Sequence, residues 1–215
     1  MKFKEILITV TITTVLVSSL FFIFSKSITK NEAPAATGSQ TNQSTTDDHH
    51  GGTVQISTES FGKLLKKEAP DFTLESYEGE KISLKKLRGK NVVLFFSEGL
   101  MCYPACWDQI AAFGKDSKLN NQNTLTFTIV NDRRGDWKTA LDKMPELASA
   151  KVLFDTDRSA SIAYGVLSLP SSMHRGQLAG HTYVIVDPQG IVRFIKDDPQ
   201  MAIRNQELLE EIAKL

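Results

Sequence analysis

A short apolar run at Asn91–Phe96 constrains the fold of this chain more than any other feature of its sequence. It shows no alternation of polar and apolar residues, which is typical of a strand buried on both faces of a sheet. A second buried strand is predicted at Leu125–Val130, and a helix from about Cys102 to Lys118 lies between the two. A sheet buried on both faces needs helices on both sides, so the pattern favours an α/β sandwich.

The remaining elements continue this alternation and predict a mixed central sheet. They are a hairpin at 72–84, a long helix at Asp136–Ala150, a short strand at Val152–Phe154, a short helix at Ser159–Tyr164, a second hairpin at His181–Ile195 and a closing helix from about Asn205. The second hairpin turns at Asp187–Gly190, a tetrad with glycine last. Pro145 is expected to kink or split the long helix, because proline removes a backbone hydrogen bond.

The composition fits one globular domain with an appended N-terminal segment. The chain has 215 residues, of which 41% are hydrophobic, and it can therefore bury a core. Lys and Arg total 25, and Asp and Glu also total 25, so the sequence offers no basic surface of the kind that binds nucleic acid. Nucleic acid is therefore excluded from the expected partners.

The residues from Ile6 to Ser25 carry no charge and are dominated by Leu, Ile, Val and Phe. Twenty such residues in a helix span about 30 Å, the thickness of the hydrocarbon core of a bilayer. We therefore predict a transmembrane anchor at 6–25, preceded by a cytoplasmic N-terminus at 1–5. A cleaved signal peptide is the alternative, although its apolar run is normally shorter than this one.

Residues 26–52 are predicted to form a flexible polar linker, because their Thr, Ser, Gln and Asn residues leave no apolar periodicity. The globular domain would then span 53–215. With either an anchor or a cleaved signal peptide, we expect this domain to lie on the extracytoplasmic side of the cell membrane. An uncleaved anchor would make the chain a single-pass membrane protein.

The two cysteines of the chain, Cys102 and Cys106, follow the first buried strand directly. Pro104 lies between them, and proline is tolerated in the first turn of a helix, so the helix is expected to begin near Tyr103. Cys102 would then sit at or just before the helix N-terminus, where backbone N–H groups and the helix dipole lower the pKa of a thiol. Cys106, one turn further on the same face, would lie within disulfide distance.

This cysteine pair is the main candidate for chemistry. Its spacing allows Cys102 to attack a substrate sulfur or a peroxide, and Cys106 to resolve the product by forming a disulfide. The alternatives are a structural disulfide and two unreactive thiols in the core. A structural disulfide usually closes a longer loop, which constrains the unfolded chain more strongly, so the short spacing favours redox or metal chemistry.

Segments on both sides of the cysteine pair form a recognisable set, at Glu68–Leu74, Gly79, Ile82–Leu84, Leu87–Leu94, Tyr164–Val166 and His181–Gly190. This set resembles the AhpC/TSA (peroxiredoxin-like) redoxin family of the thioredoxin superfamily, over about residues 65–213. The resemblance implies a thioredoxin-like α/β/α sandwich with a mixed central sheet. It also implies that the cysteine pair occupies the redox position of the fold and that His181 faces it.

Two departures from known motifs bear on the activity. Peroxiredoxins carry Pro-x-x-x-Thr/Ser-x-x-Cys, but the hydroxyl position is occupied by Gly99 before Cys102 and by Tyr103 before Cys106. Thioredoxins carry Cys-x-x-Cys and a late cis-proline, whereas this chain has one more residue between its cysteines and His181 at the proline position. The resemblance therefore implies antioxidant-type redox chemistry without the motif of an efficient peroxidase.

A Cys-x-x-x-Cys pair with a late histidine also resembles the Sco family of copper chaperones. That resemblance implies copper bound by Cys102, Cys106 and His181, whose thiolate and imidazole ligands suit the metal. Met173 and His174 are candidate auxiliary ligands. Without a metal, His181 would instead raise the thiolate fraction of a nearby cysteine or shuttle protons.

The sequence thus predicts a membrane-anchored thiol–disulfide oxidoreductase without a cofactor, in which Cys102 attacks, Cys106 resolves and His181 assists. Glu98 is interpreted either as a proton acceptor beside the pair or, more simply, as a solvated loop carboxylate. The expected partner is another thiol or disulfide protein, or a small peroxide. A Sco-like copper metallochaperone and a thiol-dependent peroxidase with antioxidant activity are the alternative predictions.

Overall fold

The computed structural model describes residues 58–215. The strands of this part of the chain form one sheet, with the spatial order β2-β1-β5-β4-β3-β6-β7. In chain order they are β1 (Thr73–Ser76), β2 (Lys81–Ser83), β3 (Asn91–Ser97), β4 (Thr124–Val130), β5 (Val152–Phe154), β6 (Thr182–Val186) and β7 (Val192–Asp197). Both buried runs singled out in the sequence are therefore strands.

The sheet is mixed, as the sequence predicts. Strands β3, β4 and β5 are parallel neighbours, whereas β6 pairs antiparallel with β3 and β1 pairs antiparallel with β5. The two predicted hairpins are present as the antiparallel pairs β1–β2 and β6–β7. At the centre of the sheet, Leu94 of β3 is paired with Phe127 of β4 on one side and with Val184 of β6 on the other.

Helices connect the strands and cover the sheet. They are α1 (Thr58–Gly62), α2 (Ala105–Lys115), α3 (Arg134–Lys143), α4 (Ser159–Ala163) and α5 (Asn205–Ile212), with 3₁₀ turns at Leu84–Leu87, Gly99–Met101 and Pro145–Ser149. The long helix predicted at Asp136–Ala150 is split, since α3 ends before Pro145 and a 3₁₀ turn begins there. The expected effect of that proline is confirmed.

The core lies on both faces of the sheet. Successive side chains of a strand point to opposite faces, and in β3 Leu94 joins one buried cluster while Phe95 joins another. The first cluster includes Ala160 of α4, and the second includes Ile110 of α2 and Leu208 of α5. Helices therefore pack on both sides of the sheet, which confirms the expected α/β/α layering.

One helix boundary differs from the prediction in a way that matters for the cysteines. Helix α2 begins at Ala105 rather than near Tyr103, and a 3₁₀ turn at Gly99–Met101 precedes it. The Tyr103–Pro104 peptide bond is cis, and Pro104 occupies the position directly before the first helical residue. Because a proline nitrogen carries no hydrogen, this residue can precede or open a helix without losing a hydrogen bond.

The predicted cytoplasmic N-terminus at 1–5, the anchor at 6–25 and the linker at 26–52 lie outside the described residues. Between Thr58 and Leu215, none of the helices has both the length and the apolar character that crossing a bilayer requires.

Candidate functional site

Cys102 and Cys106 are joined by a disulfide bond at the point where the central strand β3 leads into helix α2. Their Cα atoms are 5.4 Å apart, as expected from the spacing of four residues. The exposed fraction is 3% for Cys102 and 0% for Cys106. Both cysteines are therefore buried in the disulfide state, and Cys102 is the one that keeps some exposed surface.

The start of α2 at Ala105 places Cys102 before the helix N-terminus and not at it. Cys106 is the second residue of the helix, and Cys102 lies three residues before its start. The backbone N–H of Cys102 donates to the carbonyl of Gly99, and the carbonyl of Cys102 accepts the N–H of Cys106. The positive end of the helix dipole is therefore closer to Cys106 than to Cys102.

His181 lies directly before strand β6 and faces the cysteine pair, as the resemblance implied. Its Nδ1 atom is 3.5 Å from the Sγ atom of Cys106, and its ring packs edge-on against Phe95 of β3. The ligand atoms of Cys102, Cys106 and His181 all lie within 4.8 Å of one another. The pairing of β6 with β3 explains this proximity, because it places the start of β6 beside the end of β3.

The imidazole of His181 is buried and neutral at pH 7. Burial lowers its pKa to about 4, although the negative charge of Asp198 opposes this change. The Nε2 atom of the ring is 2.7 Å from the hydroxyl oxygen of Tyr183 and 3.3 Å from the carbonyl oxygen of Ala202. A neutral imidazole has one nitrogen that can accept a proton, and this property suits a base beside a thiol.

Glu98 is not a solvated loop carboxylate, and this interpretation of the sequence is wrong. Its side chain is fully buried, and its two oxygens accept hydrogen bonds from the Ser172 hydroxyl, the backbone N–H groups of Met173 and His174, and the His174 ring. Burial raises the pKa of Glu98, but the hydrogen bonds from His174, Ser172 and Met173 outweigh it and hold the pKa below its usual value. Glu98 therefore anchors the loop at Ser171–Gly180 beside the site.

The suggested auxiliary copper ligands are not brought to the cysteine pair. The Nδ1 atom of His174 is directed at Glu98, at a distance of 3.0 Å, and the side chain of Met173 is 64% exposed. Among residues 58–215, the group that could hold a metal ion consists of the two cysteines and His181.

The turn that carries Cys102 is held from two sides. The backbone N–H of Leu100 donates to Asp132 at the end of β4, and the indole N–H of Trp107 donates to the carbonyl of Gly99. Trp107 is buried in the same cluster as both cysteines, whereas the ring of Tyr103 is half exposed. Trp107 therefore packs around the pair, and Tyr103 forms part of the surface next to it.

Sequence reasoning missed two polar residues behind His181. Tyr183 lies two residues further along, so its side chain points to the same face of the sheet. Gln109 lies three residues after Cys106, on the same face of α2. Their side chains are hydrogen-bonded to each other, with 2.8 Å between the Tyr183 hydroxyl and Gln109 Oε1. A polar residue on the inner face of a helix, among Cys106, Ile110 and Phe113, was the available signal.

Comparison with known proteins places this site in a family context. The chain matches the model of the AhpC/TSA family over residues 65–195. It is 32% identical to the chloroplastic peroxiredoxin Q of Triticum aestivum over 142 residues, which are 62% of this chain and 59% of that relative. The chain thus spans less than two thirds of the relative's length.

Solved structures show the same fold at lower identity. The mitochondrial 2-Cys peroxiredoxin from Plasmodium falciparum is 24% identical, with a TM-score of 0.59 over 70% of this chain and 93% of that one. A candidate protein disulfide isomerase from Bacteroides thetaiotaomicron is 19% identical, with a TM-score of 0.54 over 70% of this chain and 88% of that one. The family match covers more than half of the chain and includes Cys102, Cys106 and His181, so the chain belongs to the AhpC/TSA family.

Proposed function

We propose that this chain is a thiol–disulfide oxidoreductase whose redox centre is the Cys102–Cys106 pair. The observation that carries the proposal is a closely spaced disulfide with a neutral imidazole nitrogen 3.5 Å from one of its sulfurs. A purely structural disulfide would need no base beside it. Membership of the AhpC/TSA family, which places the pair in a thioredoxin-like fold, supports the same conclusion.

The reaction begins with the reduced protein. The thiolate of Cys102, the less buried of the two residues, attacks a substrate disulfide, forms a mixed disulfide and releases one substrate thiolate. His181 Nδ1 then accepts the thiol proton of Cys106, whose sulfur attacks Cys102 Sγ. This step closes the Cys102–Cys106 disulfide and releases the second substrate thiolate, which takes up the proton. Two electrons pass from the protein to the substrate, and another thiol protein returns them.

Peroxide is a second candidate substrate, because the relative with 32% identity is a peroxiredoxin. In that reaction Cys102 would become a sulfenic acid and the peroxide would leave as water or an alcohol. Cys106 would then condense with the sulfenic acid, releasing water and forming the same disulfide. Gly99 at the position of the usual Thr or Ser argues for a slower reaction, since it provides no hydroxyl to orient the peroxide.

Copper is a candidate cargo because two sulfurs and an imidazole nitrogen lie within 4.8 Å of one another. The donor set fits Cu(I), but the sulfurs bond to each other in the described state, so reduction must precede binding. Glu98 and His174 lie near the site, but they are hydrogen-bonded to each other and therefore do not add metal ligands to this set.

The proposed location is the extracytoplasmic side of the cell membrane, with residues 6–25 as a single-pass anchor. The uncharged apolar run in that range supports it, and so does the disulfide, because such bonds persist mainly outside the reducing cytoplasm. The test is to express the full chain in cells, wash the membranes in carbonate and treat intact cells with protease. A chain that leaves the membrane fraction, or that stays protected from protease, would contradict the proposed location.

The proposed activity is tested with the full chain in detergent, reduced beforehand. Oxidation of the reduced protein is followed with insulin, with hydrogen peroxide and, as a control, without an added oxidant. A separate sample of the reduced protein is titrated with Cu(I). The same measurements are made on Cys102→Ser, His181→Ala and the control His174→Ala.

Rapid transfer of electrons to insulin that is lost in Cys102→Ser supports the oxidoreductase. Faster reaction with peroxide than with insulin would favour the peroxidase instead. Stoichiometric Cu(I) binding that is lost in His181→Ala, with no turnover of either substrate, would establish the copper chaperone and contradict the proposal.

A further inference from the structure

A chain of hydrogen bonds behind His181 fixes which of its ring nitrogens carries the proton. The chain starts at Asn205, whose amide nitrogen donates to the carbonyl of Ala112 and to a carboxylate oxygen of Asp116. Both partners are pure acceptors, so this atom is the NH₂ group and the other side-chain atom of Asn205 is its oxygen. That oxygen lies 2.8 Å from the side-chain nitrogen of Gln109 and accepts its hydrogen bond.

The orientation of Gln109 is fixed from its other end as well. The backbone N–H of Arg204 points at Gln109 Oε1 at a distance of 2.7 Å, and an N–H can only donate. The atom facing Arg204 is therefore the amide oxygen, in agreement with the bond to Asn205. Two independent contacts, one at each end of the amide, give the same assignment.

The hydroxyl of Tyr183 is the next member of the chain. Its oxygen lies 2.8 Å from Gln109 Oε1, and two oxygens at this distance need a hydrogen between them. The amide oxygen of Gln109 has none, so Tyr183 supplies its single hydroxyl proton. The carbonyl oxygen of Ala202 lies 3.2 Å from the same hydroxyl and is the more distant acceptor. Toward His181 the Tyr183 oxygen is therefore an acceptor.

His181 is that neighbour, and its Nε2 atom faces two acceptors. The Tyr183 oxygen lies 2.7 Å away, and the carbonyl oxygen of Ala202 lies 3.3 Å away. An unprotonated Nε2 would place its lone pair against the lone pairs of both oxygens. The proton of the neutral ring therefore resides on Nε2, and Nδ1, 3.5 Å from Cys106 Sγ, carries the lone pair.

We infer that Gln109 and Tyr183 are positioning residues that hold His181 in its Nε2–H tautomer and so present an unprotonated Nδ1 to Cys106. Neither residue touches a substrate or a reacting sulfur, since both act through the imidazole. The inference deepens the proposed function, on which its catalytic consequence rests: only this tautomer can accept the Cys106 proton in the resolving step. The opposite tautomer would direct an N–H at the sulfur and could not act as its base.

The tautomer is measured directly by nuclear magnetic resonance on the full chain, labelled with ¹⁵N-histidine and kept oxidised. Long-range ¹H–¹⁵N correlations distinguish the protonated from the unprotonated ring nitrogen, and the His181 signals are identified by their absence in His181→Asn. The oxidised state is used because no thiol proton is then shared with the ring. The variants are Tyr183→Phe and Gln109→Leu, and the matched control is Tyr164→Phe.

The control removes a hydroxyl from an equally buried tyrosine in the other core cluster, where it donates to the carbonyl of Pro70. We expect the parent protein and Tyr164→Phe to show Nε2–H as the main form, with the same small proportion of Nδ1–H. In Tyr183→Phe and Gln109→Leu the ratio of Nδ1–H to Nε2–H should rise roughly fivefold, the value of one lost hydrogen bond. In Gln109→Leu the cause is that the Tyr183 hydroxyl is freed to donate to Nε2.

Nδ1–H as the main form in the parent protein would overturn the inference, as would an unchanged ratio in both variants. The parent measurement decides the matter even if one variant fails to fold. A parent chain with the expected tautomer but no turnover of thiols or peroxides would contradict the proposed function and support the inference. Slower resolution of a mixed disulfide in both variants, but not in Tyr164→Phe, would support both.

Discussion

The Nδ1 atom of His181 lies 3.5 Å from the Sγ atom of Cys106, although 75 residues separate them along the chain. The central position of β3 in the sheet produces this contact. Cys106 follows the carboxyl end of β3, and β6 runs antiparallel to β3, so its first residues lie at the same edge. In the proposed reaction, this contact lets His181 accept the thiol proton of Cys106, whose side chain is fully buried.

Replacing His181 with Asn should slow the closure of the Cys102–Cys106 disulfide on the order of 10²-fold, the usual contribution of a general base. The rate is measured as the release of the second substrate thiol from a preformed mixed disulfide on Cys102. His174→Asn is the control, since that ring contacts Glu98 rather than either cysteine. Equal slowing in the two variants would contradict the role of His181.

Replacing Glu98 with Gln should loosen the loop at Ser171–Gly180 and cost about 1–3 kcal/mol, because the buried donors lose a charged acceptor. The pKa of Glu98 is held below its ordinary value in the folded protein. Its stabilising effect is therefore fully present above the ordinary pKa and is lost as the pH falls through the folded pKa. Hydrogen exchange of the loop amides should show this loss in the parent protein and not in Glu98→Gln.

The matched control is Glu75→Gln, which removes an exposed carboxylate that is paired with Arg134. At every pH, the loop amides of Glu75→Gln should exchange as they do in the parent protein. If Glu98→Gln exchanged like the parent at pH 7, Glu98 would not anchor the loop.

Asp132 should destabilise the folded protein at neutral pH. Burial raises its pKa to about 6, and the negative charge of Asp136 acts in the same direction, although the Leu100 N–H opposes both. The unfolded chain therefore ionises this group first, and the contribution of Asp132 to stability falls as the pH rises from about 4 to about 6. The lowered pKa of His181 makes a contribution of opposite sign over the same range, so the effect of Asp132 is read from the difference between the parent protein and Asp132→Asn. Asp132→Asn keeps an oxygen for Leu100 and should unfold at higher urea than the parent at pH 7.5, but not at pH 4.

The comparison variant for Asp132 is Asp142→Asn, at an exposed carboxylate paired with Lys138. It should keep the dependence of stability on pH that the parent protein shows between pH 4 and pH 6. The account of Asp132 is wrong if Asp132→Asn keeps that dependence as well.

Gly99→Ala should destabilise the turn that carries Cys102. Gly99 has φ +57°, and a Cβ there would lie 1.8 Å from Oδ2 of Asp132. The left-handed backbone alone costs roughly 1–2 kcal/mol for a residue with a side chain, and the close contact adds to it. Gly135→Ala is the control, since nothing lies within 4 Å and alanine favours its helix. Similar unfolding free energies for Gly99→Ala and the parent would contradict this prediction.

The architecture could be read from the sequence because it depends on local patterns. The apolar run of β3, the turn at Asp187–Gly190 and Pro145 each carry a signal that spans a few residues. The short spacing of Cys102 and Cys106 likewise predicted that they lie within disulfide distance, and a single turn closed by the hydrogen bond from the Cys106 N–H to the Cys102 carbonyl brings them together ahead of the helix. The exact start of α2 could not be predicted, since a proline is compatible with both the first helical position and the one before it.

The residues that surround Cys102 and Cys106 are brought there by contacts between segments that are distant in sequence. Local sequence patterns do not predict such contacts. Glu98 directly follows a buried strand and precedes a glycine, a position where a solvated loop carboxylate is expected, and the loop at Ser171–Gly180 binds it instead. Likewise, the partners of Tyr183 come from α2 and from the segment before α5. A family resemblance placed His181 near the cysteines, but the hydrogen bonds that orient its ring required the structure.

The central claim is that Cys102 attacks and Cys106 resolves, and trapping a mixed disulfide tests it most directly. Reduced full-length chains of Cys106→Ser and Cys102→Ser are mixed with oxidised glutathione and quenched with acid, and the adducts are located by peptide mass spectrometry. The account predicts a persistent glutathione adduct on Cys102 in Cys106→Ser and little adduct in Cys102→Ser. A faster and more abundant adduct on Cys106 in Cys102→Ser would contradict it.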